Sequence, residues 1–163
     1  MVWDIPPFLW GPLSGAGKGR GCMGMKEFVK RALYVGMQCT WGGLQTFLGL
    51  LLFLHYRDAP HEIYHGAVYT KWKLKGGISL GLFIFGPDRD EEWCRQMAIH
   101  EYGHTWQSLM LGPGYHAVVG LPSFLWSRSG RCIALRKEKK IPYSAFYTER
   151  WADSLGAKMT AFL

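Results

Sequence analysis

No Cys-x-x-Cys pair occurs in this sequence. Its four cysteines, Cys22, Cys39, Cys94 and Cys132, lie far apart, which excludes a thiolate zinc knuckle. Cys39 and Cys94 fall in apolar stretches of helical character, so they read as small buried side chains or idle thiols rather than as a disulfide framework. No stretch has an RNP, helix-turn-helix or zinc-finger pattern, so the net charge of +7 makes no case for nucleic acid. An anionic membrane surface is the other partner that such a charge can serve. No internal repeat is present, which excludes a solenoid. Charged residues are few, at 19 %, against 48 % hydrophobic, and 163 residues suffice for one domain with a core that needs no staples.

Residues 1–24 differ in composition from the rest of the chain. They are rich in Gly and Pro, with "GPLSGAGKGRG" at 11–21. A phosphate-binding loop needs Gly, four residues, then Gly-Lys-Ser/Thr. Counted back from Gly17-Lys18, the first position is Pro12, and Gly19 stands where the hydroxyl should be. The segment therefore reads as a flexible tail, and the folded domain as 25–163.

Residues 32–56 lack Lys, Arg, Asp and Glu altogether. The run is long enough to cross a bilayer, with Lys26, Lys30 and Arg31 before it, which would set its N-terminus on the cytoplasmic side. No small-x-small cleavage site comes after it, which argues against a signal peptide. Gln38, Thr40, Gln45 and Thr46 dilute its middle, and a buried helix of a soluble domain has the same look. The residues support membrane contact and a buried helix equally, and with them a membrane-associated or a cytoplasmic protein.

Residues 66–85 alternate as a half-buried strand does, Val68, Thr70, Trp72 and Leu74 against Tyr69, Lys71, Lys73 and Lys75. Gly76-Gly77 then reads as the turn of an antiparallel hairpin. Asp88 with Glu91 three residues on predicts a capped helix over 89–110, ending at Gly112-Pro113. A shorter apolar stretch at 115–126 is broken by Gly120 and Pro122. "RKEKK" at 136–140 reads as a solvated loop, and a last helix covers 144–161. The fold class is α+β.

The middle helix carries "HEYGH", residues 100–104. His100 and His104, at i and i+4, share one face of a helix and can hold one Zn²⁺ between them. Glu101 lies a step round, outside the ligand set but within reach of a water bound to the metal. With this content of His and Glu the pattern arises by chance in about one sequence in a hundred. Its place inside a delimited apolar helix lowers that further, because two histidines and a glutamate buried without partners cost several kcal/mol. On the last helix, "TERWAD" at 148–153 puts Glu149 and Asp153 on one face. Glu149 can supply a third ligand, and Asp153 can accept the free ring N–H of a ligand histidine.

HExxH with a separate, later helix bearing ExxxD resembles the gluzincin metallopeptidases, the thermolysin-like clan, and the short chain is similar to the minigluzincins. The resemblance rests on "HEYGH" and "ERWAD" and extends over about residues 32–161. It implies a zincin-like order: a backing helix, a small antiparallel sheet, an active-site helix and a glutamate helix. It also implies one zinc per chain held by His100, His104 and Glu149, with Asp153 supporting a histidine. The chain departs from the thermolysin-like pattern in having Thr148 where Asn precedes the glutamate, and in a long connection from His104 to Glu149. The activity implied is peptide-bond hydrolysis of a peptide or protein substrate, with Glu101 as general base and His116, Tyr143 or Tyr147 as hydrogen-bond donor to the oxyanion. A strand within 77–85 could align an extended substrate. The competing expectations are a site that holds zinc for structure alone, and a small membrane protein whose HExxH is accidental.

Overall fold

The computed structural model describes residues 24–162, so Cys22 and the expectations for the tail before Gly24 lie outside it. Two helices, α1 (Met25–Thr40) and α2 (Gly43–His55), open the chain. Four strands come next: β1 (His61–Tyr64), β2 (Ala67–Trp72), β3 (Ile78–Leu80) and β4 (Phe83–Pro87). They lead into α3 (Glu91–Leu111), a 3-10 turn at Gly112–Gly114 and a π-helical turn at His116–Gly120. The chain continues with α4 (Leu121–Arg128), α5 (Gly130–Glu138), a second 3-10 turn at Tyr143–Ala145, and α6 (Tyr147–Phe162).

The run expected as one apolar helix over 32–56 is two, bent by 92° at Trp41-Gly42. The polar residues in its middle hold the elbow. Gln38 Nε2 donates to Thr105 O at 2.9 Å, Gln45 Nε2 to Gly112 O at 2.7 Å, and Thr46 Oγ1 to Gln38 O at 2.8 Å. Both glutamine side chains are fully buried. Removing one such donor from a buried acceptor costs about 1–3 kcal/mol, so the elbow is fixed by its bonds to α3. No single helix among the described residues is long and apolar enough to cross a membrane.

The antiparallel hairpin expected over 66–85 is also corrected. The sheet is mixed, in the order β1-β2-β4-β3. β1 pairs antiparallel with β2 (Ile63 opposite Val68), β2 runs parallel to β4 (Thr70 opposite Phe85), and β3 pairs antiparallel with β4 (Ser79 opposite Ile84). The tight turns fall at His65-Gly66 and Gly81, where φ is positive, and not at Gly76-Gly77. From β2 the chain passes to the edge as β3, then returns as β4 to the place beside β2. Only β3, not the whole of 77–85, borders the sheet on that side.

Period two does hold in the packing. Ala67, Tyr69 and Ile84 pack with Ala98 and Tyr102 of α3, while Trp72, Phe83 and Phe85 pack with Leu52 and Phe53 of α2. The sheet thus lies between α2 and α3, and α6 packs against α3. Each fully buried large side chain here, such as Ile84 or Phe85, contributes about 1.5–3 kcal/mol. The cap of α3 is Asp90 rather than Asp88: its side chain accepts from Trp93 N at 2.9 Å, with Glu91 and Glu92 favourably placed in the first turn. The helix ends as expected at Gly112, at positive φ and packed against the ring of Trp41. "RKEKK" is not a loop throughout. Arg136 is a buried residue of α5, its guanidinium over the rings of Trp126 and Tyr143 at 5.3 Å each. Cys39, Cys94 and Cys132 are free thiols, with Cys94 alone buried.

Candidate metal centre

α3 lies between the sheet and α6, so its central turns are buried on all sides, which is where His100, Glu101 and His104 fall. The two imidazoles meet edge to face with centroids 4.9 Å apart. Across from them, the first turn of α6 presents Glu149, 1 % exposed. Its Oε2 lies 3.2 Å from His100 Nε2 and 3.6 Å from His104 Nε2. One ligand atom from each residue falls within 4.8 Å of the others. Two ligands on a tetrahedral zinc stand about 3.4 Å apart, given bonds near 2.1 Å, and the separations to Glu149 match that spacing.

The far side of each imidazole is held. His100 Nδ1 lies 2.6 Å from Asp153 Oδ1 and His104 Nδ1 lies 2.7 Å from Gln107 Oε1. Gln107 is itself held through Nε2 by Thr148 O at 2.8 Å. If both Nδ1 atoms donate, each Nε2 is left as a lone-pair donor facing Glu149, the tautomer a metal needs. On the carboxylate, Oε1 accepts from the hydroxyls of Ser123 and Thr148. Oε2 receives no well-aligned hydrogen bond from any described residue. A buried carboxylate oxygen needs a positive partner: protonated His100 provides one in the metal-free protein, and a cation between Oε2 and the two neutral Nε2 atoms would satisfy all three. The group therefore fits a zinc ion by chemistry, separation and burial.

Glu101 is turned toward the sheet. Ser79 Oγ of β3 lies 2.7 Å from both Oε2 and the main-chain oxygen of Glu101. Gly77, just before β3, lies against Oε1 so closely that a side chain there would collide with it. The carboxylate is thus fixed between the edge strand and the histidine helix.

Two tyrosines face the carboxylates. Burial raises the hydroxyl pKa of Tyr115 and of Tyr143, and the charges of Glu101 and Glu149 raise both further. Both hydroxyls therefore stay protonated and can donate. Tyr143 is braced by Arg136 over its ring and by Trp126 Nε1, which donates to its main-chain oxygen at 3.0 Å. Tyr147, also a candidate from the sequence, is half-exposed, and its hydroxyl donates to Val118 O at 2.6 Å. His116 packs its ring on Tyr115, with Nε2 buried and without a hydrogen-bond partner among the described residues.

No protein-family profile, no curated protein and no solved structure matches this chain. The centre is therefore read from its own geometry. Sequence reasoning missed Ser79, Gln107, Ser123 and Tyr115. Gln107 alone had a signal, standing three residues after His104 on the same helix face. The other three come from a strand, a helix and the helical junction between two short turns, and only the fold reveals their approach to the histidines.

The ion pairs make metal-free stability depend on pH. Burial lowers the pKa of His100, but Asp153 and Glu149 outweigh it and raise it from 6.5 to about 10. A raised folded-state pKa stabilises fully below 6.5, and that contribution is lost as pH rises through about 10. Burial alone would raise the pKa of Glu149, but His100 and His104 together lower it below its ordinary 4.5. Its contribution is present above 4.5 and is lost as pH falls below that. Chelator-treated protein is expected to show its highest urea midpoint between these limits, falling off on both sides. A midpoint flat from acid to alkali would contradict the pairing.

Proposed function

We propose that this chain is a zinc-dependent peptide hydrolase of the small gluzincin type. The observation that carries the reading is the single buried oxygen, Glu149 Oε2, facing both histidine Nε2 atoms while Asp153 and Gln107 occupy the far side of each ring. The element order supports it: α2 backs the sheet, β3 forms its edge, α3 carries HExxH and α6 carries ExxxD.

Zinc held by His100, His104 and Glu149 would supply Lewis acidity to a carbonyl and lower the pKa of water to near 7. Glu101, fixed by Ser79, takes the proton of the attacking water and passes it to the departing amine. The oxygen of that water bonds to the carbonyl carbon while the C=O π pair moves onto the carbonyl oxygen; the pair then returns as the C–N bond breaks, its electrons leaving with the amine that Glu101 protonates. Tyr143 and Tyr115, kept protonated, donate to the developing oxyanion. Asp153 and Gln107 hold the ring orientations, and loss of either is worth about 10–100-fold in metal affinity. The open side of β3 lies next to Glu101 and suits an extended peptide.

A second reading keeps the metal without turnover, and one observation favours it. His100, Glu101 and His104 are only 5–7 % exposed, and a closed site of that kind serves structure. Both readings require the metal. Elemental analysis of purified protein is expected to give about one zinc per chain. Glu149→Ala should lower it well below that, since a carboxylate ligand is lost. A folded wild type that holds no zinc and takes none up would sink both readings.

A further inference from the structure

We propose that α1 and α2 dock the protein flat on an anionic lipid bilayer, lying in the interface rather than crossing it. The first observation is an inverted pattern. The residues that these helices bury most completely include Gln38 and Gln45, while Leu33 and Met37 of α1, Trp41 just after it, and Phe47, Leu51 and Leu54 of α2 are about half-exposed. Leu33, Met37 and Trp41 stand four apart and Phe47, Leu51 and Leu54 three or four apart, so each set forms one stripe. The stripe on α2 has no charged residue, because that helix contains no Lys, Arg, Asp or Glu. An exposed apolar surface running over two helices marks an interaction site.

The second observation is charge. Lys26, exposed and next to Glu27, lies on α1 at one end of the stripe, followed by Lys30, whose Nζ donates to Phe162 O at 2.9 Å, while at the other end Arg57 pairs with Asp58 at 3.8 Å. The whole chain carries +7. A basic α1 end beside an apolar face, on a chain of net positive charge, suits a surface of anionic headgroups. The same charge opposes a second copy of this chain, which would bring +7 against +7.

The third observation fixes the depth. α2 has 13 residues, about 20 Å of helix, against about 30 Å of hydrocarbon. Its opposite face packs on the sheet through Leu52 and Phe53, so only one side can meet lipid. Straightening the pair into a span would break the bonds of Gln38 to Thr105 O and Gln45 to Gly112 O. The donor and the acceptor of each bond would then lose their buried partners. Trp41 at the elbow is a side chain that favours the headgroup level.

The test is flotation of the full chain with vesicles of phosphatidylcholine alone and of phosphatidylcholine mixed with phosphatidylglycerol. The wild type should float with the mixed vesicles, less with the neutral ones, and should be released at alkaline carbonate pH. Phe47→Glu/Leu51→Glu should cut the bound fraction about tenfold or more while far-UV circular dichroism stays unchanged. Lys26→Glu, at an exposed position, should reduce binding to the mixed vesicles only. Three results overturn the proposal: a wild type that binds neither vesicle, a wild type that resists carbonate as a spanning protein does, or a dimer in light scattering that Phe47→Glu/Leu51→Glu dissolves.

Discussion

Glu101→Gln is expected to lower peptide turnover by about 10²–10⁴-fold, the range a general base contributes, while zinc content stays at the wild-type level. The substitution keeps shape and volume and removes only the capacity to take a proton. Ser79 Oγ, 2.7 Å from Oε2, can still bond to the amide, so the side chain should keep its place between β3 and α3. Glu101 is not in the group of His100, His104 and Glu149, so metal binding does not need it. Two readouts together make the result decisive. Loss of turnover with zinc retained assigns Glu101 to proton transfer. Turnover that survives Glu101→Gln would remove Glu101 from the mechanism and the proposed hydrolysis with it. A wild type that holds zinc but cleaves no peptide would favour the structural reading, to which the burial of the site already lends weight. Ser79→Ala is the companion variant. It should lower kcat and leave zinc content unchanged, because Ser79 positions Glu101 and touches no ligand.

The histidine helix and the glutamate helix are legible in the sequence because spacing within a helix is geometry. Residues four apart share a face whatever surrounds them, so His100 with His104, and Glu149 with Asp153, pair from letters alone. That Asp153 meets His100, and Gln107 meets His104, depends on how α6 crosses α3, and no local pattern states this. The sheet shows the same limit. Alternation is the same for a strand whose neighbour is parallel or antiparallel, so Ala67–Trp72 carries no sign that Phe83–Pro87 lies beside it in parallel. Gly76-Gly77 is the more obvious pair for a turn, whereas Gly81 is where the backbone takes positive φ. The elbow at Trp41-Gly42 is hidden for another reason. Gln38 and Gln45 look like polar dilution in an apolar run, and only their acceptors on Thr105 and Gly112 turn them into anchors.

How closely α6 approaches α3 decides whether the metal group exists at all, and Gly103 controls it. Gly103→Ala is expected to destabilise the protein by more than about 3 kcal/mol, at or beyond the upper end of overpacking costs, and to abolish zinc binding without altering a ligand. A Cβ on Gly103 would fall on the main-chain carbonyl of Ala152, and one on Gly156 would fall on that of Ile99. Both contacts are with backbone, which cannot rotate aside, so the helices must part. His100 and His104 flank Gly103 on α3, and Glu149 and Asp153 flank Ala152 on α6, so separation at that crossing opens the 3.2 and 3.6 Å approaches directly. The competing effect has the opposite sign. Alanine is favoured over glycine in a helix interior by about 1 kcal/mol, so a crossing with room to spare would gain stability. Gly36, exposed in α1 with nothing within 4 Å of its would-be Cβ, provides the contrast. Gly36→Ala should raise the urea midpoint slightly and keep the zinc, whereas Gly103→Ala should lower it steeply and lose the zinc. If the two variants behave alike, the backbones of α3 and α6 do not touch at Gly103, and the centre does not depend on their crossing.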